Sequence, residues 1–90
     1  MNHRNEAEEG TVFLEPEYFD QAIVGKTLVN GKEILAYDYF LLIDALAKEE
    51  KLDWDDALEW IEYNTLRSIP YMGEGAPVVV NSLAEDGEQE

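Results

Sequence analysis

The sequence predicts a small α+β domain: a short strand, a β-hairpin, two packed α-helices and a final short strand. Three observations predict it. Asn30-Gly31 separates two β-rich runs. Residues 39–51 are good or neutral helix formers without Gly or Pro, and they follow an Asp. A second Asp, Asp53, opens a run whose apolar stripe recurs at i, i+3, i+4, i+7 and i+11.

In chain order, Thr11-Val12-Phe13-Leu14 reads as a short strand closed by Glu15-Pro16, since Pro cannot donate to a ladder. Residues 16–20 read as a turn with Tyr18 and Phe19 packing inward. Runs 22–29 and 32–37 flank Asn30-Gly31, which suits a type I′ turn because both central residues need positive φ. That turn sets Val29 opposite Lys32, Leu28 opposite Glu33, Thr27 opposite Ile34 and Lys26 opposite Leu35. Lys26 and Glu33 become diagonal neighbours, a favourable pair worth about 0.2–1 kcal/mol. Neither face of the hairpin is purely apolar, so the pattern leaves open which one meets the core.

Asp38 is a natural N-cap for a first helix over residues 39–51. Phe40, Leu41, Leu42, Ile43, Ala45, Leu46 and Ala47 cover most of its circumference, leaving a strip of Asp44, Lys48 and Lys51. A helix apolar nearly all round is buried on more than one side, either within the domain or in an oligomer. Asp53 caps a second helix, with Asp55 and Asp56 at the positive end of its dipole. Trp54, Ala57, Leu58, Ile61 and Thr65 form its apolar stripe, Asp55, Glu59 and Glu62 line the other side, and Trp60 and Tyr63 lie off the stripe. The helix is expected to fray by Arg67 and to be stopped by Pro70. Residues 72–77 read as a loop and Val78-Val79-Val80 as the closing strand.

The chain is 90 residues with 6 Lys+Arg against 21 Asp+Glu, a formal charge of −15. Residues 1–10 and 82–90 lack apolar periodicity and read as disordered tails, the second one acidic. Residues 11–81 remain as one compact domain carrying −9. A strongly acidic domain does not bind nucleic acid directly, because that requires a basic face to displace counterions. No apolar run is long enough to span a membrane and no signal segment opens the chain, so a cytoplasmic setting is expected. Without Cys there is no disulfide framework and no thiolate metal site.

Tyr37-Asp38-Tyr39, then Asp53 with Ala57-Leu58-Glu59-Trp60-Ile61, then Tyr63-Asn64-Thr65-Leu66-Arg67-Ser68-Ile69-Pro70-Tyr71-Met72-Gly73, and finally Ala76-Pro77-Val78-Val79 make a recognisable series. With them, residues 19–80, about two thirds of the chain, resemble a group of small acidic proteins encoded by phages, prophages and other mobile elements. The resemblance implies a mobile-element setting and a shared fold. It carries no established activity, cofactor or catalytic residue.

Catalysis is poorly provided for. His3, the single His, lies in the N-terminal tail, and Ser occurs only at 68 and 82. No nucleophile, base and orienting group can be assembled from these, so no enzyme activity, catalytic residue or cofactor is expected. Asp53, Asp55, Asp56 and Glu59 resemble a hard-cation cluster but lack the Gly and later Glu of an EF-hand loop, so helix capping accounts for them and no metal site is expected. Gly73-Glu74-Gly75 reads as a plain loop, because an acid between the glycines repels phosphate.

Candidate partner-binding residues are Asp55, Glu59, Glu62, Trp60, Tyr63 and Arg67. The acids, with Glu49 and Glu50 nearby, offer a surface that imitates nucleic-acid phosphates and fits a basic groove on another protein. General acidity for solubility is the competing reading. Tyr and Arg are common anchors at interfaces. Arg67 equally suits an internal tie to a helix carboxylate, with Asn64 ending the helix in left-handed geometry. The expected function is a protein-binding module, specifically a mobile-element inhibitor acting by nucleic-acid mimicry on a host protein. Two alternatives are self-assembly through the first helix, giving a homo-oligomer, and small-ligand binding by Tyr37, Tyr63, Tyr71 and Arg67.

Overall fold

The computed structural model describes residues 10–81. The expected tails at 1–10 and 82–90 fall outside these residues, apart from Gly10. Strands β1 (Ile23–Val29) and β2 (Lys32–Asp38) pair antiparallel, and β3 (Val78–Val80) runs parallel to β2, giving the order β1-β2-β3. Between β2 and β3 lie helix α1 (Tyr39–Glu50), helix α2 (Trp54–Trp60), a π-helical turn (Ile61–Leu66) and a 3-10 turn (Ile69–Tyr71). A parallel pair needs such a crossover, and the two helices supply it. The class is α+β.

Val29 pairs with Lys32, Leu28 with Glu33, Thr27 with Ile34 and Lys26 with Leu35. Asn30 and Gly31 between the strands have φ of 53° and 81°. Beyond Gly25 the register shifts, so that Ile23 meets Tyr37. The face open in the sequence is settled by packing. Leu35 and Tyr37 are in the core, and Ile23 and Val79, which flank Tyr37 in the sheet, pack against it. Glu33 shares that face and is almost fully buried. Lys26 Nζ reaches its Oε2 at 2.9 Å, and Thr11 Oγ1 donates to its Oε1 at 2.9 Å.

Residues 11–14 are not a strand, contrary to the expectation from their β-branched and aromatic content. Side-chain hydrogen bonds take the place of a ladder. The Leu14 N–H donates to the buried Tyr37 hydroxyl at 2.9 Å, and Thr11 is held by Glu33. Leu14 itself is in the core. The following turn winds into a 3-10 helix (Glu17–Ala22) that buries Phe19 and Ala22.

Asp38 caps α1, its carboxylate accepting from the Leu41 N–H at 2.9 Å. Lys51 ends the helix in the left-handed region at φ 56°, and the Leu52 N–H closes back onto the Ala47 carbonyl. Leu42, Ile43, Ala45 and Leu46 are buried, and α1 is packed by the 3-10 helix, by α2 and by β2. Phe40 stacks on Trp54 with centroids 6.1 Å apart and planes at 14°. The apolar circumference of α1 is therefore covered largely within one chain. Asp44 and Lys48 pair at 3.1 Å along its exposed strip.

The end of the helical half also differs from the sequence reading. The backbone does not fray at Arg67: it stays helical through Ser68, and Pro70 sits at the start of the 3-10 turn instead of stopping it. Pro fits there because a first-turn N–H has no helical acceptor to lose.

Candidate interaction surface

The acidic side of the molecule is built by α2 and the π turn. Asp53 accepts from the Asp56 N–H at 3.1 Å, so this carboxylate is a cap, as its position suggested. Ala57 and Ile61 are buried and Leu58 is half-buried, which fixes the rotation of α2 against the core. Asp55 and Glu59 consequently face solvent, as does Glu62 in the π turn. Among the described residues no group of three or more His, Cys, Asp or Glu converges as a metal site.

The π turn sets the remaining side chains. Ile61 and Thr65 are its buried residues. The Asn64 side-chain amide donates to the Trp60 carbonyl at 3.1 Å, so Asn64 sits within the turn and does not end a helix in left-handed geometry. Such a side-chain bond competes with the regular helical ladder. Arg67 lies over the Tyr63 ring, its guanidinium carbon 4.7 Å from the centroid. No described carboxylate pairs with Arg67 as an ion pair, so the expected internal tie is replaced by a cation–π contact.

These elements enclose an open cleft of about 360 Å³ lined by Leu58, Glu59, Glu62, Tyr63 and Arg67. One wall is anchored from α1: the Tyr39 hydroxyl donates to Glu62 Oε2 at 2.6 Å. Partial burial first, then this hydrogen bond and the Glu62 charge, push the Tyr39 phenol up to about 12. The phenol thus remains a donor throughout the neutral range.

Four of the six expected partner-binding residues line this cleft, and Asp55 stands one turn before Glu59. Trp60 is elsewhere. It lines a second, more apolar groove of about 440 Å³ with Pro16, Tyr18, Leu46, Glu50 and Leu52, and its ring lies 6.4 Å from that of Phe19. There the Tyr18 hydroxyl donates to Glu50 Oε2 at 3.1 Å, and burial, followed by that bond and the Glu50 and Glu49 charges, raises its pKa to about 12. Tyr37 is in the core with its hydroxyl engaged by Leu14, so it is not brought together with Tyr63 and Arg67 as a small-ligand site requires. Tyr71 is 89% exposed and lines neither cavity.

The Tyr39–Glu62 tether, the place of Leu58 in the cleft lining and the π turn were not anticipated from the sequence. Only the last has a local signal, the Asn64 amide within reach of a carbonyl one turn back. Comparison with family models, characterised proteins and solved structures gives no match for this chain.

Proposed function

We propose that this protein is a non-enzymatic, cytoplasmic binding module that docks a basic partner on the face formed by Asp55, Glu59, Glu62, Tyr63 and Arg67. The observation that carries the reading is the cleft itself: Glu59 and Glu62 open to solvent beside an exposed Tyr63–Arg67 stack. The carboxylates attract a cationic surface, and the stacked pair supplies a flat, partly ordered anchor. Trp60 lines the neighbouring groove and is not part of this face.

The partner class follows from charge. The described residues carry five Lys or Arg against fourteen Asp or Glu. A surface of that sign competes with nucleic-acid phosphates for a basic groove, which makes a host nucleic-acid-handling protein the target of this reading. No helix among the described residues is long and apolar enough to cross a membrane, in keeping with a partner met in solution.

The test is affinity capture from a host lysate with the full chain at low salt, followed by elution with duplex DNA. The reading expects a basic protein that DNA displaces and that a Glu59→Lys/Asp55→Lys chain does not retain. Capture that ignores both DNA and the charge swap rejects it.

A further inference from the structure

The second groove is assembled from separate parts of the chain: Pro16 and Tyr18 at the entry to the first 3-10 helix, Leu46 and Glu50 on α1 with Leu52 just beyond it, and Trp60 at the end of α2. Its volume is about 440 Å³, and it shares no lining residue with the acidic cleft. Two of its walls are aromatic, and the buried Phe19 ring supports both. Phe19 meets the Tyr18 ring edge-on, with centroids 5.1 Å apart and planes at 77°, and lies 6.4 Å from the Trp60 ring. Trp60 still keeps 38% of its surface exposed. The one carboxylate in the lining is that of Glu50, exposed at the end of α1, and its Oε2 accepts from the Tyr18 hydroxyl at 3.1 Å. Among the described residues no Lys or Arg lines the groove or forms an ion pair with Glu50; Lys51, the nearest base in sequence, does neither.

We infer that this groove takes a lysine side chain presented by another protein, its aliphatic stem lying on Leu46, Leu52 and Trp60 and its ammonium meeting Glu50 and Tyr18. An apolar bed with one anionic end matches a side chain that has an apolar stem and a cationic head. An ammonium only donates hydrogen bonds, and both polar groups of the groove offer it lone pairs. The Tyr18 proton is committed to Glu50, and with a pKa of about 12 the phenol keeps that proton at neutral pH, so its oxygen is left to accept. The carboxylate retains lone pairs after one such bond. The Trp60 and Tyr18 rings add cation–π attraction. Arginine fits less well, because its planar fork pairs best with both oxygens of a carboxylate and Oε2 is already engaged. The open form of the groove selects the source. A small-molecule site encloses about 70–90% of its ligand, whereas a side chain is also held by the contacts of the chain that carries it. A second copy of this protein is a poor source, since two chains of −15 repel.

Nuclear magnetic resonance titration of the isotope-labelled full chain with short peptides, blocked at both ends, tests this. An Ala-Lys-Ala peptide is expected to move the Trp60 indole N–H signal saturably. It should leave the signal of Trp54, whose ring stacks on Phe40 and does not line the groove. Norleucine in place of the lysine keeps the stem without the charge and should bind more weakly, by about threefold or more at low salt. The arginine peptide should also bind more weakly than the lysine one. Butylammonium, which is stem and head without a chain, probes the free-amine source and should bind less tightly than the lysine peptide. Glu50→Gln is at an exposed position and still accepts from Tyr18. It should weaken the lysine peptide by about threefold and leave the norleucine peptide unchanged. Glu74→Gln removes the same charge from the exposed loop at 72–77 and should keep the native affinity. The inference is overturned by the absence of a saturable Trp60 shift, or by a norleucine or arginine peptide that binds as tightly as the lysine peptide. Butylammonium that matches the lysine peptide, or a Glu50→Gln chain with native affinity for it, overturns it equally.

Discussion

Tyr37→Phe tests a buried hydrogen bond in the core. The ring of Tyr37 is fully buried, and Phe keeps its packing. What is lost is the hydroxyl that accepts the Leu14 N–H at 2.9 Å. Leu14 is 1% exposed, so water does not replace that acceptor without opening the segment. Leaving a buried donor unpaired costs about 1–3 kcal/mol, more than the net worth of an average hydrogen bond. In a domain of this size 1 kcal/mol moves the melting temperature by about 4–8 °C. A loss near 2 kcal/mol therefore corresponds to a fall of roughly 10 °C. Urea unfolding followed by Trp fluorescence and circular dichroism gives the free energy, with an unchanged slope if only the native state is affected. Amide exchange at Leu14 gives the local effect, which should be faster exchange in the variant. A change below about 0.5 kcal/mol, within the scatter of ordinary surface substitutions, together with unaltered Leu14 exchange refutes the reasoning.

Other outcomes follow from the same geometry. Glu62→Gln removes the carboxylate charge and weakens the bond from Tyr39, so the Tyr39 phenol, at about 12 in the native chain, ionises at lower pH; ultraviolet titration of the phenolate band reads this. Because the folded-state pKa is raised above 10, the stabilisation linked to Tyr39 is complete below pH 10 and is lost as pH rises from there through about 12; the melting temperature of Tyr39→Phe should fall less steeply than that of the native chain in that window, with Tyr18 supplying the remaining dependence. Asp38→Ala loses the cap on Leu41 and is expected to destabilise by about 1–2 kcal/mol, with Asp38→Asn recovering much of it; equal losses in thermal melts would show that charge, not capping, is the operative property.

Much of the fold was legible because its local signals agree with its packing. The β-rich runs on either side of residues 30–31 indicated the strand pairing, and Asp38 and Asp53 indicated the helix starts. Residues 11–14 misled because strand propensity reports a fit to a pleated surface, and they form no ladder with a described strand. The Leu14 N–H is instead satisfied by a side chain 23 positions later, a contact that no local pattern encodes. The π turn was hidden for a related reason, since Ile61 and Thr65 have the same apolar spacing in an ordinary helix. The acidic row was readable at i, i+4 and i+7. Its division from Trp60 was not, because the neighbouring groove is completed by Pro16, Tyr18 and Leu46 from earlier elements.

We propose that the cleft beside α2 works by its charge. Once a partner is captured, its affinity for the native chain and for Asp55→Lys/Glu59→Lys, compared at low and high salt, tests this most directly. Both positions are exposed. Two reversed charges at an interface rim, at about 0.5–1 kcal/mol each for the attraction lost and again for the repulsion gained, should weaken binding by more than about tenfold at low salt. High salt should shrink the difference. Equal affinities for the two folded chains at low salt would contradict the account.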